Sequence, residues 1–158
     1  MPIDPIPQVD LNSVVGLVKV VEEMGGREDV FRLTREVNYE LGQILQVIKA
    51  AEVLGLVHTP GGDVEVTDLG RKVLRSKILK RKELIREQIR KLPIFVSVLQ
   101  MLQRTEEGRA DRDVFLEAFA LHLPEEDPEK LLDTLIDWGR YAELVGYSDD
   151  SEEVYLNP

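Results

Sequence analysis

A mainly α-helical chain with small β-hairpins, built as tandem winged helix-turn-helix domains joined by a long basic helix, is the fold class this sequence predicts. Three observations predict it. The segments Ala51-Glu52-Val53-Leu54-Gly55-Leu56 and Ala142-Glu143-Leu144-Val145-Gly146-Tyr147 are alike, and each ends a long helical pattern. Each then leads into a short apolar run, a turn and a second run: Val57 and Thr59, Pro60-Gly61-Gly62-Asp63, Val64 and Val66 in one copy; Tyr147, residues 148–152, Val154 and Leu156 in the other. Between the copies lies a charged stretch with helical spacing and no Gly/Ser-rich linker. A helix closed by a left-handed glycine and followed by a hairpin is the back half of a winged helix-turn-helix.

The elements follow in order. Residues 1–11 are punctuated by Pro2, Pro5 and Pro7, which predicts an extended arm laid down through Ile3, Ile6 and Val9. Asn12 or Ser13 caps a helix with Val14, Leu17, Val18 and Val21 inward, and Gly25-Gly26 ends it. Asp29 caps a shorter helix with Val30, Leu33 and Val37 inward. After a break near Asn38, a third helix has Leu41, Ile44, Leu45, Ile48 and Leu54 on one side. Thr67 follows the hairpin and caps a helix that runs on through Val73, Leu74, Ile78, Leu79, Leu84, Ile85 and Ile89 to Pro93. The second domain repeats the plan: a helix with Phe95, Val98, Leu99 and Leu102, then one capped by Asp111 with Val114, Phe115, Ala118, Phe119 and Leu123 inward. The last begins near Asp127-Pro128 and carries Leu131, Leu132, Leu135, Ile136, Trp138 and Tyr141. The expected division is an arm 1–11, a first domain 12–76, a connecting helix 77–91 and a second domain 92–158.

Composition narrows the function. No apolar run is long enough to span a bilayer, so membrane insertion is not expected. The N-terminus lacks a basic segment ahead of an apolar one, so no secretory signal is expected either. Cysteine is absent, which removes disulfides, thiolate nucleophiles and cysteine-ligated zinc and fits a cytoplasmic location. His58 and His122 have no ligand-spaced partner, no serine sits in a G-x-S-x-G context, and no phosphate loop occurs. The carboxylates Glu125-Glu126-Asp127 and Asp149-Asp150 lie at a helix start and a turn, where acids are favoured for local reasons. No enzyme activity, cofactor or metal is therefore expected.

Charge sorts the partners. The net charge is −10, but residues 71–91 hold ten Lys or Arg against two acids, and residues 106–158 hold sixteen acids against four bases. On the third helix of each domain, where such folds read base edges, the outward sets are Glu40, Gln43, Gln46, Lys49 and Glu52, then Glu129, Lys130, Asp133, Asp137 and Arg140. These cannot supply several phosphate contacts, which ranks nucleic acid below a protein partner. The basic connector, with Arg75, Lys80, Arg81, Lys82 and Arg86, either meets phosphate, an acidic membrane surface or an acidic protein, or pairs within the chain or an oligomer. Its apolar residues also fit a homodimer. Trp138, Arg140 and Tyr141 form either a partner-binding hot spot or core packing around Gly139, whose place in a helix costs about 1 kcal/mol relative to Ala and implies a close neighbour.

The segment Ile136-Asp137-Trp138-Gly139-Arg140-Tyr141-Ala142-Glu143-Leu144-Val145-Gly146-Tyr147, with Ser148 to Glu153 after it, resembles the end of the AAA-associated C-terminal domain. That domain follows the ATP-binding subunit of nitrate/sulfonate/taurine-type ABC transporters. The helix from Val14 to Glu23, A-E-V-L-G-L, the wing and Thr67-Asp68-Leu69-Gly70-Arg71-Lys72 are similar to it as well. The resemblance implies a non-catalytic regulatory or protein-interaction module associated with a transporter ATP-binding subunit. In such relatives the ATPase precedes the domain on one polypeptide; here Met1 opens a short arm, so the expectation is a free-standing partner or an excised domain that does not hydrolyse nucleotide. The rival class is a winged-helix DNA-binding transcriptional regulator. A small-molecule sensor has no sequence feature behind it.

Overall fold

In the computed structural model residues 4–37 and 39–157 are described, and they form a mainly helical chain with two small antiparallel sheets. Ile3 and the expected break at Asn38 lie outside the described residues. The chain divides into two compact units, one of Val9–Ile85 and one of the remainder, so the boundary falls inside a helix. Within the arm, Ile6 is buried.

The first unit runs α1 (Leu11–Glu23), β1 (Arg27–Asp29), α2 (Val30–Val37), α3 (Leu41–Val53), β2 (Val57–His58), a 3-10 turn (Pro60–Gly62), β3 (Asp63–Val66) and α4 (Asp68–Arg75), and includes the start of α5 (Ile78–Lys91). The second holds the rest of α5, α6 (Pro93–Gln103), β4 (Arg109–Asp111), α7 (Arg112–His122), α8 (Pro128–Tyr141), β5 (Val145–Ser148) and β6 (Glu153–Leu156). Each sheet has its third-formed strand in the middle, β1-β3-β2 and β4-β6-β5. The hairpins follow the alternation in the sequence. The outer strands β1 and β4 do not: three residues, all polar in β1 and flanking a lone Ala110 in β4, have no period to detect, and they exist because they pair with Asp63–Val66 and Glu153–Leu156.

Side-chain caps explain three helix starts, whereas Asp111, expected to cap α7, stands at the cap position without a side-chain bond. Asp29 accepts from the amides of Phe31 and Arg32, Thr67 from Gly70 at 3.0 Å, and Asp127 from Glu129 and Lys130. Helix α1 departs from expectation: it begins at Leu11 with Asp10 at the cap position, and Ser13 donates its hydroxyl to Asp10 at 2.5 Å instead of capping. The buried stripe of α3 is Ile44, Val47, Ile48 and Ala51, so Leu41 and Leu45, expected inside, fall on its flank and are exposed. Val114 is likewise outside, because the inward face of α7 is set by Phe115 and Phe119.

The expected single helix between hairpin and Pro93 is two helices. It stops at Ser76, whose backbone is extended and whose hydroxyl donates to Lys72 O at 2.6 Å. Arg81 then donates from Nε to Val73 O at 3.1 Å and from Nη2 to Leu74 O at 3.4 Å. Val73 O also accepts from the Ser76 amide at 3.3 Å, and the guanidinium from the next helix adds a second donor there and reaches Leu74 O as well.

The apparent repeat also needs correction. In the first unit Gly55 closes α3 in the left-handed region, with Leu56 N donating to Ala51 O. In the second unit the residue that closes α8 there is Glu143, at φ 58°, with Leu144 N donating to Gly139 O. Gly146 is instead inside β5, against the Tyr155 ring, where a Cβ would collide with it. A left-handed non-glycine residue costs roughly 1–2 kcal/mol. Glu143→Gly is expected to stabilise the chain by at most about 0.5–1 kcal/mol, the gain reduced by glycine's extra freedom in the unfolded state and by loss of the carboxylate's contacts, Arg86 at 4.0 Å among them. Urea denaturation checks it.

Candidate interaction surfaces

Trp138 projects from α8 into the core of the second unit and is 0% exposed. Gly139 beside it carries no side chain because Val145 occupies the place a Cβ would take, with Phe95 3.4 Å away. The close neighbour expected at this glycine is therefore the start of β5. Arg140 is exposed and Tyr141 half-buried. The three residues are not brought together on the surface. For Trp138 the partner-binding reading is corrected: a partner would have to reach an indole that other side chains enclose.

The basic residues part company in a similar way. Arg75 and Lys80 are exposed, and Lys80 lies 3.5 Å from Glu83 one turn on. Arg81 is committed to the carbonyls that end α4, so it serves the fold and not a contact surface. Lys82 is half-buried and has an interaction of its own. Arg86, a third exposed, stands 4.0 Å from Glu143. One turn later on α5, Arg90 lies 3.3 Å from Glu87. Arg86 and Arg90 both open on a cleft of about 550 Å³ within the second unit, whose walls include Val96, Leu99, Leu144 and Leu156.

The outward face of α8 is organised by a residue that sequence reasoning passed over. Arg112, at the start of α7, donates from Nη2 to Glu129 at 2.6 Å and to Asp133 at 2.9 Å, with its guanidinium carbon 5.8 Å from the centroid of the Tyr147 ring. Its pKa is raised above the usual arginine range, chiefly by the bond to Glu129, with burial opposing and Asp133 and Tyr147 adding. The cation thus fastens α7 to α8 and leaves the acids less available to anything else. Arg112→Ala is expected to cost about 1–2 kcal/mol of stability, modest because both acids stay largely hydrated. Arg112→Lys should recover only part, since a mobile ammonium can meet the two acids but does not reproduce the planar guanidinium over the Tyr147 ring. Chemical denaturation distinguishes the pair.

The first unit shows a different face. Phe31, Leu41 and Leu45 are 59%, 40% and 46% exposed on α2 and α3, with Tyr39 between the helices also outside. Exposed Gln43, Gln46 and Lys49 share α3 with them, so its outer surface mixes apolar and neutral polar groups with one cation. Across its sheet Arg27 of β1 donates to Asp63 of β3 at 2.9 Å, and this bond leads the causes that raise the Arg27 pKa. Among the described residues no helix is long and apolar enough to cross a membrane.

The model of the C-terminal AAA-associated domain family matches residues 31–148, about three quarters of the chain. Comparison with curated proteins and with solved structures returned no match.

Proposed function

The chain belongs to the C-terminal AAA-associated domain family, and from that premise we propose that it is a non-enzymatic, cytoplasmic regulatory module that binds the ATP-binding subunit of a transporter or a similar ATPase. In this reading each unit, with its order α-β-α-α-β-β, is a winged helix-turn-helix used for protein contact. The observation that carries it is the surface of the two third helices. Helix α3 turns Leu41, Leu45, Gln43 and Gln46 outward with the single cation Lys49, and α8 turns out Glu129, Asp133 and Asp137 beside Lys130 and Arg140, with Arg112 held between two of the acids. A phosphate backbone needs several cations without acids beside them, and α3 offers one while those of α8 stand among three acids. Apolar side chains among neutral polar ones suit a protein surface.

The test is co-purification of the tagged chain with ATP-binding subunits from its native cytosol. Recovery of such a subunit that survives moderate salt supports the reading, and recovery of none across salt conditions removes it. Fluorescence anisotropy with labelled duplex DNA addresses the rival. Tight binding that falls steeply with salt and is lost when Arg75, Lys80 and Lys82 are neutralised replaces the module by a DNA-binding regulator. The reading includes self-association through Ile78 and Leu79, which are 76% and 77% exposed at the start of α5. Light scattering of the wild type against Ile78→Glu with Leu79→Glu decides it: a dimer mass that halves in the variant supports the pairing, and a monomer mass in both excludes it.

A further inference from the structure

The two units correspond down to single hydrogen bonds, so each shows what belongs at a given corner of the other. Thr67 N donates to Leu56 O at 3.0 Å, and Asn157 N to Leu144 O at 3.1 Å. Thr67 Oγ1 donates to Gly55 O at 2.7 Å, and Asn157 Nδ2 to Glu143 O at 2.8 Å. Val66 N donates to Gly26 O and Leu156 N to Gly108 O, both at 2.8 Å. Leu56, Val66 and Thr67 are therefore the counterparts of Leu144, Leu156 and Asn157.

In the first unit this corner is roofed by helix α4. Gly70 crosses so close that a Cβ there would collide with the Leu56 carbonyl and lie 2.9 Å from Val66 Cγ1. Val73, one turn on, is fully buried, and Arg71 reaches Glu22 of α1 at 3.1 Å. Beneath the helix Leu56 and Val66 are 0% and 2% exposed.

In the second unit the same corner is the open cleft of about 550 Å³. Its floor is Leu144 and Leu156, and Leu156 is half-buried where its counterpart Val66 is covered. One wall is α6, with Leu99 half-buried and Val96 39% exposed. The other is α5, whose Arg86 and Arg90 are four residues apart and so share one helix face.

We propose that this cleft is a docking site for an amphipathic helix of a partner protein, seated as α4 is seated in the first unit and presenting carboxylates to Arg86 and Arg90. Each feature of the occupant follows from the corner itself. A small residue crosses the Leu144 carbonyl, as Gly70 crosses that of Leu56. An aliphatic residue one turn later covers Leu156 and Leu99, as Val73 is buried in the first unit. Asp or Glu on the flank meets the two guanidiniums, whose present acid contacts at 4.0 and 3.3 Å are long and solvated. The lining holds these two cations against one acid, Glu143, so a basic helix is disfavoured. The proposal rests on the reading of the chain as a protein-binding module, but its test involves no ATPase.

The probe is an acetylated, amidated, fluorescein-labelled peptide of residues 67–77 carrying Arg71→Glu, Lys72→Glu and Arg75→Glu: helix α4 with its cations made acidic. Titrated with the full chain, it is expected to give a saturable rise in anisotropy, and the peptide of unaltered sequence should bind at least about tenfold more weakly. The exposed change Val96→Glu, and separately Arg86→Glu with Arg90→Glu, should each weaken the acidic peptide by about tenfold or more while the melting temperature holds. No binding up to about 1 mM peptide, equal binding by the basic peptide, or full binding by both variants overturns the proposal. Should the peptide fail while an ATP-binding subunit still co-purifies, the cleft is excluded and the module reading stands. The converse result removes the ATPase as partner and keeps the cleft.

Discussion

Trp138→Ala is expected to lower the free energy of unfolding by about 3–5 kcal/mol, the range for deleting a fully enclosed aromatic side chain. The indole is 0% exposed in α8 and sits next to Gly139, where β5 packs too closely for any side chain. Removing it leaves a void that Val145 and Phe95, already in contact with that stretch of helix, can collapse into only in part. Since this is the only Trp in the chain, its fluorescence follows the second unit in the wild type, and far-UV circular dichroism replaces it in the variant. Trp138→Phe should lose less, because a smaller ring still fills most of the site. A surface hot spot would behave in the opposite way, with unchanged stability and a lost partner. A measured loss below about 1 kcal/mol would return Trp138 to the surface.

Burial of Trp138 was legible from helical spacing, since Leu131, Leu135 and Trp138 share a stripe with Leu132 and Ile136. The register of the duplication was not. The letters Ala-Glu followed by two apolar residues and Gly recur at 51–55 and 142–146, yet the structure aligns Gly55 with Glu143, three residues from where the letters put it. Glycine is the usual left-handed closer, so the second glycine was assigned that duty, whereas the chain uses a glutamate and spends Gly146 on the Tyr155 ring. A repeat in the true register exists. Gly26-Arg27-Glu28-Asp29 and Gly108-Arg109-Ala110-Asp111 occupy matching places, each arginine reaching an acid across the sheet, Asp63 in one case and Glu153 in the other. Those strands pair with residues more than thirty positions away, and a window of local periodicity does not contain that information.

The connector failed for a related reason. Spacing alone continues α4 into α5, because Leu74, Ile78, Ile85 and Ile89 keep a helical rhythm through Ser76. What breaks it is a choice among hydrogen bonds: the Ser76 hydroxyl returns to Lys72 O, and Arg81 takes the carbonyls that another turn would have used. Counting Arg81 among free cations was therefore an error that charge tallies invite. Arg112 is the same lesson in the second unit, a cation absorbed by two acids of a neighbouring helix. The cleft with Arg86 and Arg90 was illegible for a further reason, since α5, α6 and the end of β6 meet only in the folded unit.

The same substitution is expected to act with opposite sign at two glycines of the first unit. Gly16 is exposed in α1 with nothing within 4 Å of a Cβ placed there. Gly16→Ala should stabilise by about 0.5–1 kcal/mol, by narrowing the unfolded ensemble and improving helix propensity. At Gly70 the propensity gain is similar, but the new methyl meets a backbone carbonyl that is itself bonded: Leu56 O accepts from Thr67 N at 3.0 Å. The side-chain obstacle, Val66 Cγ1, is in the core and cannot swing aside. Helix α4 must lift, which loosens the Thr67 cap at 3.0 Å and the Arg71–Glu22 pair at 3.1 Å and uncovers Leu56 and Val66. Overpacking of this kind costs typically 1–3 kcal/mol, so Gly70→Ala should destabilise by about 1–2 kcal/mol after the propensity gain is deducted. The readouts are urea denaturation and, in native conditions, proteolysis: trypsin should cut first at Arg71, Lys72 or Arg75 of a loosened α4. Stabilisation by Gly70→Ala would mean that α4 rides higher on the sheet than this geometry has it, and with it would go the template for a helix in the second unit's cleft.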